Sequence, residues 1–201
     1  MSPSLIIHWQ LRRQSSRVVA YFSLSDVMKM YADVPSLVWT DWRYSGPAEF
    51  ERMHISIHHQ IASFIGLMVY FLMVKKAGGQ TMLPSRAADS LWHAWLRASP
   101  MTLASFQSKY FGSTIQHLEE NRVLSLGHST HDALANTWRF ARCTEKCGPT
   151  NIPYLFELDH CLNFYSGWSY SYAEGAIQMA VIEDDLRYHI MPHLRVNESI
   201  L

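Results

Sequence analysis

Residues 61–74 read IASFIGLMVYFLMV, a run broken only by Ser63 and Gly66. Fourteen residues are too few for a bilayer core, which needs roughly 17–25. The run is bounded by His58 and His59 on one side and by Lys75 and Lys76 on the other. A helix that is apolar all round finds its place at the centre of a bundle. The stretch therefore predicts an all-α fold, an irregular helical bundle around one long buried helix, with no membrane span.

Working outward, Phe50, Met53, Ile57, Ile61, Phe64, Met68, Phe71 and Leu72 recur at spacings of three and four, the helical period. Pro47 suits a first turn and Gly78-Gly79 a stop, so the long helix is expected between them. Ser85 caps a second helix that runs to Arg97, with Leu91 and Trp95 on one face. The pair Ser99-Pro100 opens a third, which runs to Phe111 and halts at Gly112. A fourth spans Thr130 to Cys143, with Leu134, Trp138 and Ala141 turned inward, and a short one spans Tyr154 to Asn163. Residues 164–173 alternate apolar with polar and read as a short hairpin or an ordered loop. The last helix is expected from Ala176 to Ile190, ending before Pro192. On the N-terminal side, Ser25 caps a helix through Ala32, and residues 36–46 read as an aromatic loop with Trp39, Trp42 and Tyr44. Residues 1–25 have no sustained period and read as a flexible or extended lead. Residues 26–201 then make a single helical domain.

Composition agrees with a packed domain: 201 residues, 48% apolar and 17% charged. Charge balances at 17 basic and 17 acidic residues, which excludes the basic stripe that nucleic acid requires. The one basic cluster, Arg12, Arg13 and Arg17, reads as a solvated arm. Three cysteines, Cys143, Cys147 and Cys161, form no disulfide framework. Their spacing, with His160 beside Cys161, is loose for zinc, so reduced thiols in a cytoplasmic protein are expected.

Asp89 and His93, four apart on a helix, share a face. A carboxylate beside an imidazole holds its tautomer and leaves the other ring nitrogen to bind a metal or move a proton. The short Ser-Pro connection predicts an antiparallel hairpin that brings His117 back to the pair. Asp89, His93 and His117 are thus a candidate polar site, and His58 with His93 and His117 would make a three-ligand metal centre. His54 and His58 have helical i, i+4 spacing, but HISIH lacks the glutamate of H-E-x-x-H and carries no metalloprotease signature. His128, His131 and Asp132 in GHSTHD look like a metal cluster by composition, yet their place at a helix start suits capping better. The chain has no G-x-S-x-G elbow, phosphate loop, dinucleotide fingerprint or EF-hand loop.

With those residues in view, the segment around 84–118 resembles a group of small uncharacterised bacterial proteins distantly similar to the N-terminal region of plant glycine-rich domain-containing proteins. The pattern is Pro84, Ser85, Asp89, Trp92 and His93, then Tyr110, Phe111, Gly112, Ile115 and His117. The later LANTWRFARC and IPYLFELD stretches are also similar. The chain departs from the pattern at Gln116-His117, where paired histidines are frequent, and at Ser105-Phe106-Gln107. The resemblance implies a fold more than an activity.

Two functional expectations follow. Neutral charge, the lack of a complete catalytic set and the many loop aromatics point to a non-enzymatic accessory protein. Such a protein would bind another protein through Trp39, Trp42, Tyr44, Trp168, Tyr170 and Tyr172 with no cofactor. An adaptor or co-chaperone for a secreted effector fits that profile. The alternative is a metal-dependent enzyme or metal-binding protein, with a divalent metal held by His93 and His117 and with Asp89 orienting His93.

Overall fold

A computed structural model describes residues 3–15, 18–46, 48–77, 80–117, 130–148, 151–173, 176–182, 188–190 and 196–197. Its helices are α1 (Pro3–Ser15), α2 (Leu24–Ala32), α3 (Ser36–Tyr44), α4 (Ile57–Lys76), α5 (Arg86–Ala98), α6 (Pro100–Phe111), α7 (Thr130–Glu145) and α8 (Tyr154–Leu162). Strands β1 (Trp168–Ala173) and β2 (Ala176–Ile182) form an antiparallel hairpin in which Tyr170 faces Met179. Two short segments, β3 (Tyr188–Ile190) and β4 (Val196–Asn197), pair with opposite ends of β2. The result is a mostly helical, irregular bundle with a small hairpin.

Helix α4 is its axis. Every residue from Gln60 to Phe71 is buried, and α1, α5, α6, α7 and α8 pack around it. At 20 residues it is longer than its apolar run, and by length and composition it could cross a bilayer, but most of it is buried inside the bundle. Gly66 lets α8 come close: a Cβ there would stand 2.3 Å from the Leu158 side chain. A helix-interior glycine costs roughly 0.5–1 kcal/mol against alanine, and this contact is what that cost secures.

Several boundaries differ from the sequence reading, each for a local reason. The long helix begins at Ile57 rather than at Pro47, because Ser56 and His59 form a reciprocal capping box. A 3-10 turn, Ala48–Arg52, takes the residues before it, and His54 lies outside the helix, so His54 and His58 do not share a helical face. Residues 36–44 are helix α3 rather than loop. Its buried Trp42 donates from Nε1 to Ser90 Oγ (2.9 Å) on α5, and that contact organises the aromatic stretch. Helix α2 is capped by Ser23, not Ser25. The N-terminal segment forms α1, with Leu11 buried against the bundle, and is not an extended lead over residues 3–15.

The largest correction is at residues 176–182, where a strand replaces the first half of the expected last helix. Ile177 and Met179 are both buried and two apart, while Gln178 between them and Ala180 after them are only half-buried. A β-branched stretch with one buried face is satisfied by a strand partner, and β1 supplies it. The hairpin is therefore 168–182 rather than 164–173. The Ser85 cap, the Ser99-Pro100 start and the Gly112 stop (φ 80°, left-handed) fall where the sequence placed them.

Candidate metal centre

Helix α5 carries two members of the site because its N-terminus is held in place by chemistry from elsewhere in the chain. Ser85 Oγ accepts from the Ala88 amide (3.2 Å) and donates to Asp159 Oδ1 (2.6 Å). The Asp159 carboxylate, buried on α8, also accepts from the amides of Arg86 (2.8 Å), Ala87 (3.1 Å) and, on β1, Trp168 (2.9 Å). Burial pushes this carboxyl up, while the Ser85 hydroxyl and those amides favour its charged form. A negative charge here also meets the positive end of the α5 dipole. One side chain thus ties α5, α8 and the hairpin together.

One turn further along α5, Asp89 and His93 project from the same face. The loop after α6 delivers His117. It leaves the helix through left-handed Gly112, and the Ile115 amide donates to the buried Gln107 Oε1 (3.0 Å). Ser113 is bonded by Lys75 of α4. His117 Nε2 lies 3.0 Å from Asp89 Oδ1, and His93 Nε2 lies 3.3 Å from Asp89 Oδ2. The two imidazole rings stand 4.4 Å apart, centre to centre, and Trp92 sets its ring edge-on to His117 at 4.4 Å. Phe71, Phe111 and Tyr70 in turn back the Trp92 neighbourhood. The side chains of Asp89 and His93 are 36% and 43% exposed and that of His117 is 14% exposed, so the group has a packed floor and a wet mouth.

Burial alone would push the Asp89 carboxyl up. The hydrogen bonds and charges of His117 and His93 outweigh it and bring the carboxyl down to about 2. Burial, with a contribution from the Asp89 charge, pushes the Tyr70 hydroxyl up to about 12; that hydroxyl donates to Thr81 O (3.1 Å). Asp89 is therefore an anion at neutral pH, and Tyr70 is neutral.

The candidate ligand atoms of Asp89, His93 and His117 all lie within 4.8 Å of one another, and no other such His/Cys/Asp/Glu group occurs among the described residues. Ligands bonded at about 2.1 Å to one octahedral ion stand about 3.0 Å apart when adjacent. The carboxylate–imidazole separations are already of that size. The group can hold a proton network, or an ion once its ligand atoms, now within 4.8 Å of one another, draw in around it.

His58 does not join this site. The aromatic contacts of α5 fall at Tyr70 and Phe71, twelve or more residues along α4, which is about 18 Å of helix. His58 instead stands edge-on to His59. The cysteines form no such group either: Cys143 and Cys161 are exposed, and none of the three is in a disulfide. His128 lies outside the described residues, and Asp132 is exposed in the first turn of α7. Among the expected contact aromatics, Trp42 and Tyr170 are buried core residues and offer no surface. Trp39 is half-buried and stacked on Tyr31, Trp168 is half-buried, and Tyr44 is 85% exposed. The Tyr172 side chain lies outside the described set.

Asp159 escaped the sequence reading as a site element. The available signal was an aspartate inside the apolar helix YLFELDHCL, where Leu155, Leu158 and Leu162 mark the buried face. An acid in that register needs a partner, and Ser85 and its helix provide it.

The chain belongs to the UCP032817-like family, whose model matches residues 47–190. That range holds Asp89, His93, His117 and Asp159 and leaves out α1, α2 and α3. No curated protein and no solved structure matches the chain.

Proposed function

We propose that this UCP032817-like protein binds a first-row divalent metal through Asp89, His93 and His117, and that the ion is the seat of its activity. The observation that carries this reading is the convergence, within 4.8 Å, of a carboxylate and an imidazole from α5 with a second imidazole from the loop after α6. Two histidines and a carboxylate are a ligand set for iron(II) or zinc that leaves positions open. Such an ion activates water or holds an oxygen ligand. The protein's part is to keep Asp89 ionised, to present both Nε2 atoms, and to back His117 with the Trp92 ring so that the ligand loop stays in place. The distant likeness to the N-terminal region of glycine-rich domain-containing proteins, and a cytoplasmic setting for its reduced thiols, belong to the same proposal.

Titration of chelator-treated protein with cobalt(II) tests it. One equivalent should give visible d–d absorption, and His117→Ala should abolish that signal with the fold intact. Failure of the wild type to bind cobalt or zinc above a micromolar background would reject the reading.

A second reading keeps the accessory-protein expectation, such as an adaptor or co-chaperone of a secreted effector. Its support is the outer face of α3, where Leu37 and Tyr44 are exposed, together with exposed Met101 at the start of α6. Leu37→Asp with Tyr44→Ala should then release a co-purifying protein partner that His93→Ala retains.

A further inference from the structure

We propose that α1 is a docking helix for an anionic lipid surface. The first twenty-five residues hold Arg12, Arg13 and Arg17 and no acidic residue, whereas the whole chain has a net charge of zero. The chain's charge is thus strongly uneven. On α1 the inner face carries Leu11, buried, and Ile7, packed against the core. The outer face carries Leu5 and Trp9, one turn apart and 59% and 52% exposed, and Val19 is exposed just beyond the helix. Arg12 and Arg13 are exposed in the following turn, and the Arg13 guanidinium lies 5.6 Å from the centre of the Trp9 ring.

Tryptophan beside arginine suits the headgroup layer. The indole sits at the boundary of acyl chain and water while the guanidinium reaches phosphate. A helix of 13 residues is too short to span a bilayer, so α1 would lie in the interface with its apolar pair buried. Two exposed apolar side chains are too small a patch for a protein interface, which buries about 800 Å² per partner. They are enough for shallow insertion reinforced by charge. Each arginine near an anionic surface contributes about fivefold in partitioning. Neutral membranes should therefore hold the protein poorly and anionic ones measurably. This surface lies outside the residues that the family model matches and does not depend on the metal centre.

Co-sedimentation of the full chain with vesicles tests the assignment. The protein should pellet with phosphatidylcholine vesicles containing about one-third phosphatidylserine, and not with phosphatidylcholine alone. Arg12→Glu with Arg13→Glu, and separately Leu5→Ala with Trp9→Ala, should each weaken pelleting at least tenfold. A blue shift of tryptophan emission on adding anionic vesicles should vanish in Trp9→Phe, a replacement mild enough to keep α1 folded. Absence of pelleting on anionic vesicles overturns the proposal, as does equal pelleting on neutral ones. Pelleting that survives loss of Leu5 and Trp9 but not of the arginines also overturns it, since an acidic protein surface would then serve as well.

Discussion

Two aspartates flank the first turn of α5 and do opposite things. Asp159 is buried and answered by three backbone amides and the Ser85 hydroxyl, donors that keep their protons at any pH of interest. Asp89 is partly exposed and answered by two imidazoles, rings whose nitrogens can also ligate a metal ion. The first arrangement is closed and holds the fold. The second is open and can change partner. A carboxylate's role thus depends less on its burial than on what kind of donor completes its shell.

Removing each carboxylate should separate the two roles most sharply. Asp159→Ala leaves the Ala87 amide and the Ser85 hydroxyl buried without their acceptor and frees the part-buried Arg86 and Trp168 amides, and should cost about 3–5 kcal/mol of folding stability in urea titration. A loss under about 1 kcal/mol would mean that water replaces the carboxylate and that the closed description is wrong. Ser85→Ala removes a cap and one of those partners, and should cost about 1–2 kcal/mol by the same measurement.

The comparison extends to imidazoles. His59 uses both ring nitrogens: Nδ1 meets the Ser56 hydroxyl (2.8 Å) and amide (3.3 Å), and Nε2 meets Leu162 O (3.1 Å). With Nδ1 accepting and Nε2–H donating, the ring must be neutral. Its pKa is lowered by burial, with His58 and His54 adding to the effect and the Leu162 bond opposing it. Because the folded value lies below the unfolded one, His59 stabilises the protein above about pH 6.5 and loses that contribution as pH falls. The urea midpoint should drop from pH 7.5 to 5.5, and His59→Gln should flatten part of that drop. An identical pH slope in the variant would place the titration elsewhere.

The smallest effect on stability is expected at the open carboxylate. Asp89→Asn should change folding by no more than about 1 kcal/mol, as for an exposed pair, yet remove metal binding. If it destabilises as much as Asp159→Ala, both aspartates are structural and the contrast collapses.

What the sequence disclosed follows the reach of its signals. Ser85, the Asp89–His93 spacing, Ser99-Pro100 and Gly112 act over one or two turns, and together they foretold α5, α6 and the return of His117. The Asp159–Ser85 bond joins residues 74 apart, so no local pattern announced it. The alternation of β2 only gains meaning once β1 lies beside it, so the sequence reads there as helix. The order of α3 comes from Trp42 reaching Ser90, 48 residues away, and no local pattern carries it. Residue type alone groups His58 with the site, and the length of α4 separates them.

Elemental analysis of the purified protein for zinc, iron, manganese and nickel, run beside His93→Ala, decides whether Asp89, His93 and His117 hold a metal. About one equivalent of a single first-row metal is expected in the wild type, as for a site with open positions, and none in the variant. A wild type free of metal that also takes up none on reconstitution, with stability unchanged by His93→Ala, would contradict this expectation and leave Asp89, His93 and His117 as a hydrogen-bonded group alone.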